Sequence, residues 1–180
     1  FPEIGRTLFA QVTSMEIGKD GVEKSAYIFV PGETEGLDQF VVLKDRISGE
    51  RHGLTDDGAV ISEKLAKLLN VNVGDEIYLK ESETDRCSVR IAAVSENYLA
   101  HYVYLTPALY ERLFGETPKY NQLYLKLQDE TGAETSGPGM AKKELSEEEE
   151  TAFTERLLKD EMVETVQMAG ELHRTVQDML

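Results

Sequence analysis

One short span, DGAVISEKLAKLLNVNVGDEIYL at residues 57–79, restricts the fold more than any other part of the chain. It reads as strand, capped helix, tight turn and strand. Val60 and Ile61 are β-branched and apolar, and they follow a turn signal at Asp56-Asp57-Gly58. Ser62 stands where a hydroxyl can satisfy an orphan amide of the first helical turn. Leu65, Leu68 and Leu69 recur at i, i+3, i+4 and form one apolar stripe, while Glu63 and Lys67 make an i, i+4 pair on the other face. Asn70 can end the helix in a left-handed conformation. Val71 and Val73 lead into Gly74-Asp75, after which Ile77 and Leu79 alternate with Glu76, Tyr78 and Lys80 as in a half-buried strand. This is a scaffold signature and carries no chemistry.

The remainder of the chain punctuates itself in the same way. Leu8, Ala10 and Val12 alternate with Phe9, Gln11 and Thr13, a strand that extends towards Ile17. The cluster Gly18-Lys19-Asp20-Gly21 turns it back into a run with Ala26, Ile28 and Val30 on one face and Tyr27 and Phe29 on the other. Pro31-Gly32 stops that run, a strand is expected at 40–43, and the polar stretch 44–55 with Gly49 and Gly53 reads as a loop with a short turn. Strands follow at 89–94 and in the second half of 96–105, where Val103 and Leu105 oppose Tyr102 and Tyr104. Thr106-Pro107 starts a helix with Leu109, Tyr110, Leu113 and Phe114 as its buried stripe, and Gly115 ends it. This strand, cap and short helix echo 57–79, so both helices are expected on one sheet system. Leu123, Leu125 and Leu127 alternate with Tyr124 and Lys126 in a further strand.

The stretch 129–145 lacks periodicity and reads as a loop. Ser146 and Glu149 fit a capping box, and Phe153, Leu157 and Leu158 give the ensuing helix its apolar face. Residues 163–168 suit either a last strand or a continuation of that helix. Leu172, Val176, Met179 and Leu180 mark a closing amphipathic helix at 171–180. Together these elements predict a mixed α+β fold with mainly antiparallel sheets and short amphipathic helices, because most connections are too short for crossover helices.

The formal net charge of −15 argues against nucleic acid, whose phosphates need clustered Lys and Arg, and against lying flat on an anionic membrane. No apolar run reaches the ~20 residues that span a bilayer. With Phe rather than Met at position 1, the chain is expected to be an excised piece of something longer. The single Cys87 excludes an internal disulfide framework and sits beside a strand pattern. His52, His101 and His173 are far apart and lack metal-ligand spacing, and Asp56-Asp57-Gly58 lacks the alternating carboxylates of a calcium loop. No catalytic motif, cofactor fingerprint or metal site is expected. The one stretch with binding character is Asn97, Tyr98, His101, Tyr102 and Tyr104, since aromatic rings with polar tips are common on recognition surfaces. Its plain alternative is that Tyr102 and Tyr104 form the second face of a strand and pack against another element.

Residues 60–75 follow the pattern V-[IV]-S-E-x-L-A-x-x-L-x-V-x-x-G-D, and 96–104 follow ENY-x-x-HY-[IV]-Y before a Thr-Pro-capped helix. With these two blocks the chain resembles the extracytoplasmic domain of FtsX/MacB-type ABC transporter permeases, in a variant similar to those of Gram-positive Firmicutes. The resemblance implies a MacB-periplasmic-core-like domain over 1–180, inserted between the first two transmembrane helices. It implies a β-rich subdomain at about 40–97 within an α/β subdomain formed by 1–39 and 98–170, with 171–180 leading to the second span. It further implies an extracellular, non-catalytic module with no cofactor, which couples ATP hydrolysis by a cytoplasmic ABC ATPase subunit to events outside the membrane. The partners implied are that ATPase, a second permease copy, and a cationic peptide, lipid or extracellular protein. The alternative from the residues alone is a stand-alone extracytoplasmic enzyme or accessory domain with a β-barrel core; an adhesion domain is the third reading.

Overall fold

The computed structural model describes residues 4–82, 84–97, 100–127, 147–161 and 163–167. Its longest element is β1 (Ile4–Lys19), which turns back into β2 (Val22–Pro31) through Asp20 and Gly21, both at positive φ (49° and 85°). Two such residues make the tight hairpin whose twist matches that of the flanking strands. Next come β3 (Ala59–Ser62), α1 (Glu63–Leu69), β4 (Glu76–Lys80), β5 (Arg86–Ser95), β6 (Tyr102–Tyr104), α2 (Pro107–Phe114) and β7 (Gln122–Leu127).

All seven strands join one sheet in the order β2-β6-β3-β5-β4-β1-β7, and β1 also pairs β2. The first six strands therefore close into a cycle, with β7 added beside the N-terminal half of β1. Closure gives each of the six cycle strands a partner on both sides, the arrangement that keeps strand edges from pairing with foreign chains. Five pairings are antiparallel, and β2 with β6 and β3 with β5 are parallel. The mixed, mainly antiparallel α+β architecture is the expected one. Strands from 59–95 hydrogen-bond to strands from both flanking stretches, so the sheet draws on the whole of 4–127.

Strand alternation gives the sheet two buried faces. On the inner face Met15, Ile17, Ala26, Ile28, Ile61, Ile77, Leu79, Ile91, Val103 and Leu105 pack together with Leu65, Ala66 and Leu69 of α1 and Leu109 and Tyr110 of α2. Both helices thus serve one sheet system, as their echo in sequence suggests. On the outer face lie Leu8, Ala10, Phe29, Val60, Ala93 and Tyr104 with Leu37 and Leu43 from the connection after β2. β1 serves both: its even positions Leu8 and Ala10 face outwards, its odd positions Met15 and Ile17 inwards.

The local signals of the opening span hold with two corrections. Asn70 adopts the left-handed conformation (φ 53°), and Lys67 pairs with Glu63 at 2.6 Å. Leu68 is 42% exposed, however, and Ala66 takes its place in the buried stripe. Ser62 occupies the N-cap position, but its hydroxyl makes no cap bond and instead accepts from the Tyr102 amide at 3.1 Å. The Thr106 cap forms as expected, accepting from Leu109 N at 3.0 Å, and Gly115 ends α2 at φ 72°.

The expected strand at 40–43 is absent. Gly36 turns the chain at φ 70° into a 3-10 turn, Leu37–Gln39, and the amides of Phe40 and Val41 both bond Leu37 O (2.9 and 2.8 Å). Amides committed to a helical turn cannot join a ladder. On β7 the buried side also differs from the leucine pattern: Leu123 is 45% exposed, while Tyr124 packs on the outer face.

The chain divides into two compact units, Phe1–Leu127 and Gln128–Leu180. In the second, α3 (Glu147–Leu157) buries Phe153 and Leu157, with Arg156 over the Phe153 ring at 5.9 Å. Leu158, expected on that face, is 46% exposed, and 163–167 are neither strand nor helix. The expected loop at 129–145, the Ser146 cap and the helix at 171–180 lie outside the described residues.

Candidate binding surface

Tyr102, Val103 and Tyr104 alternate along β6, so Val103 enters the inner core and both tyrosines face outwards. The parallel register sets Tyr102 beside Tyr27 and Tyr104 beside Phe29. Four rings then adjoin across two strands: Tyr27 to Tyr102 at 5.4 Å, Tyr102 stacked on Tyr104 at 5.5 Å, and Tyr104 to Phe29 at 5.5 Å. Tyr124 of β7 extends the row at 5.8 Å from Phe29. These centroid spacings suit offset or tilted aromatic pairs, each worth about 1 kcal/mol beyond its buried area.

The row is graded from wet to dry. Tyr27 is 44% exposed, Tyr102 half-buried, Tyr104 5% and Phe29 1% exposed. Leu37 and Leu43, with the half-buried Phe40, Val41 and Leu54, cover its dry end. This cover is tied down at Lys44, whose amide donates to Ser95 Oγ (3.1 Å), whose carbonyl accepts from Glu96 N (2.8 Å), and whose ammonium pairs with Glu96 at 3.3 Å. Beneath it Asn97 Nδ2 donates to the Tyr104 hydroxyl at 3.2 Å. Burial raises the phenol pKa values of Tyr102, Tyr104 and Tyr124, that of Tyr124 to about 12 and that of Tyr104 beyond the ordinary tyrosine range, so these three stay neutral in any physiological medium.

Of the residues singled out by sequence, the structure brings Asn97, Tyr102 and Tyr104 together. His101 precedes β6, and its carbonyl accepts from Tyr27 N at 2.8 Å, so its backbone and not its ring is what joins it to the strand of Tyr27. Tyr98 lies outside the described residues. Tyr27, Phe29 and Tyr124 belong to the row beyond the residues that the sequence singles out. Their outward parity was visible locally, but parallel pairing between remote strands leaves no local signal. The plain alternative fits Tyr104, which is almost wholly covered, and leaves Tyr27 and Tyr102 as the part able to meet a partner.

Such a surface can stack rings and donate hydrogen bonds. It offers no nucleophile: Cys87, away on β5, has its thiol pushed up to about 11, chiefly by burial. Away from the row, a shallow depression of about 330 Å³ bordered by Ala66, Asn70, Val71, Val73 and Val94 lies against the motif stretch. Its one acid, Glu63, is engaged by Arg46 at 2.9 Å and Lys67 at 2.6 Å.

No protein-family model matches the sequence, and no curated protein does. Solved structures do match the fold. The extracellular domain of the noncanonic ABC-type transporter YknZ from Gram-positive bacteria superposes with a TM-score of 0.54 at 14% identity, over 72% of this chain and 68% of that one. The periplasmic region of MacB from Actinobacillus actinomycetemcomitans gives 0.53 at 15% identity, over 97% of this chain and 77% of that one. The chain therefore has the fold of extracytoplasmic domains of ABC transporter permeases. At these identities the likeness carries the fold and leaves the ligand open.

Proposed function

We propose that this chain is the extracytoplasmic domain of an FtsX/MacB-type ABC transporter permease, lying between the first and second transmembrane spans of its parent. The observation that carries this reading is the shared fold with the MacB periplasmic region over 97% of the chain. The two motif blocks support it, since 60–75 supplies β3, α1 and the turn into β4, and 96–104 supplies β6. In this reading the domain is non-catalytic and extracellular. It relays ATP-driven motion from a cytoplasmic ATPase to a peptide or lipid substrate or to a partner enzyme, beside a second permease copy. The Tyr27 and Tyr102 end of the aromatic row, with Tyr98 and His101 nearby in sequence, is the surface we assign to partner contact. The net charge of −15 favours a cationic peptide among the ligands.

The test is the parent gene. An apolar stretch of about 20 residues is expected on each side of this domain, with an ATPase gene adjacent; polar sequence on both sides overturns the reading. Titration with cationic peptides at graded salt tests the ligand class, with binding that weakens as salt rises as the expected result. The closed cycle of six strands favours, as a second reading, a stand-alone accessory domain with a β-barrel core. Polar flanks would select it.

A further inference from the structure

Outside the closed cycle, β7 keeps one bare edge. Among the described residues it is the only strand with a single strand neighbour, β1, and no strand pairs its other side. A row of N–H and C=O groups along a strand edge is a template for another chain. Native sheets blunt such edges with Pro, with bulges or with charges. β7 reads QLYLKL, with neither Pro nor Gly and with Lys126 as its single charge.

The antiparallel register with β1 sorts the side chains of this two-stranded ribbon. One face sets Leu123 opposite Phe9 and Leu125 opposite Thr7, and both Leu123 and Phe9 are exposed. Tyr120, also exposed, borders Gly32 together with Phe9 and widens the apolar patch. The other face sets Lys126 opposite Arg6, two cations at the cross-strand spacing where like charges repel and an anionic neighbour is favoured. Neither 4–15 nor 117–127 contains an Asp or Glu, although the chain has 34 of them. Among the described residues Lys126 makes no ion pair. The ribbon is thus apolar and basic within a chain that is acidic as a whole. At physiological ionic strength charges beyond about 8 Å are largely screened. This local set, more than the net charge of −15, governs what docks here.

We propose that the free edge of β7 docks an extended acidic segment of another protein, which adds to the sheet as an eighth strand. Main-chain bonds to β7 supply affinity, and alternate side chains supply specificity. Apolar residues of the segment lie beside Leu123 and Leu125, and its Asp or Glu residues beside Lys126. A second copy of this chain fits less well, because β7 paired with itself would join two basic ribbons. The proposal does not depend on the permease reading, which the flanking gene sequence tests separately.

The probe is a peptide of about eight alternating valine and glutamate residues, a usual strand length. It is titrated into the 180-residue chain at neutral pH while backbone amides are followed by NMR, with a valine–lysine peptide as control. The expected result is saturable shifts centred on 122–127 with a dissociation constant on the order of 100 μM, and none with the control. Lys126→Glu should weaken the acidic peptide about tenfold and admit the lysine peptide. If that variant does not fold, the unaltered chain still decides. Methylating one alternate set of peptide nitrogens should abolish binding, and methylating the other set should not, since only one set faces β7. No saturable binding, equal binding of the two peptides, indifference to both methylations, or a dimer joined through 122–127 in sedimentation overturns the proposal.

Discussion

The two buried faces of this sheet are built by different means. The inner core is aliphatic but for Tyr110, and is walled by six strands and by two helices whose stripes are local and periodic. Ile17, Ile28, Ile61, Leu65 and Leu105 are all 0% exposed there. The outer core has strands on one side only, an aromatic row in the middle, and an irregular cover tied down around Lys44. The first is held from every direction, whereas the second depends on one connection staying in place. Stability is expected to be correspondingly uneven.

The largest effect should come from the inner face. Ile61→Ala is expected to cost about 4 kcal/mol in urea unfolding, because a closed cycle cannot collapse around the cavity. Leu43→Ala in the cover should cost nearer 2 kcal/mol, with accelerated amide exchange confined to 37–54. Equal losses, and exchange spread over the whole sheet, would show the two faces to be one cooperative unit.

Smaller changes probe the polar contacts of each face. Tyr104→Phe keeps the ring but removes the bond from Asn97, and about 1 kcal/mol should be lost. Ser62→Ala and Thr106→Ala should each cost about 1 kcal/mol, but with opposite signatures in amide exchange. The first frees the Tyr102 amide of β6, the second the Leu109 amide of α2. If Ser62→Ala instead frayed α1, its hydroxyl would be a cap after all.

The smallest effect is electrostatic. Hydrogen bonds from Arg46, then Lys67, hold the Glu63 carboxyl below its ordinary pKa of 4.5. A carboxyl lowered in the folded state stabilises the fold above its unfolded pKa, and that contribution fades as pH falls through the lower folded value. Glu63→Gln should therefore flatten the decline of stability with acid below about pH 4.5, with no change at neutral slope. An identical acid limb in both proteins would show that these surface pairs add nothing.

The same contrast explains what could be read in advance. The inner core was legible because its signals are short in range: Val60 and Ile61 before Ser62, the stripe of α1, the Thr106-Pro107 start. Even there Leu68 misled, since i, i+3 spacing admits a residue at the stripe's margin, and Ala66 was small enough to overlook. The outer core was legible only in halves. Tyr27 and Phe29 showed their parity, as did Tyr102 and Tyr104, but the register that joins them spans remote strands. The cover was misread because 40–43 has strand-like composition, while Gly36 at positive φ commits the chain to a turn.

β1 has one more consequence. It pairs β7 from Ile4 to Ala10, with an irregularity between Ile4 and Arg6, β2 from Ala10 to Lys19 and β4 from Glu16 to Gly18, so it is laddered without a break from Arg6 onwards. Sixteen extended residues reach about 50 Å. Such a strand is a stiff beam held by three neighbours, and beyond Arg6 it has no irregularity at which to bend. A small tilt imposed near Arg6 would reappear, as a lever's far end moves, at the hairpin of Asp20 and Gly21.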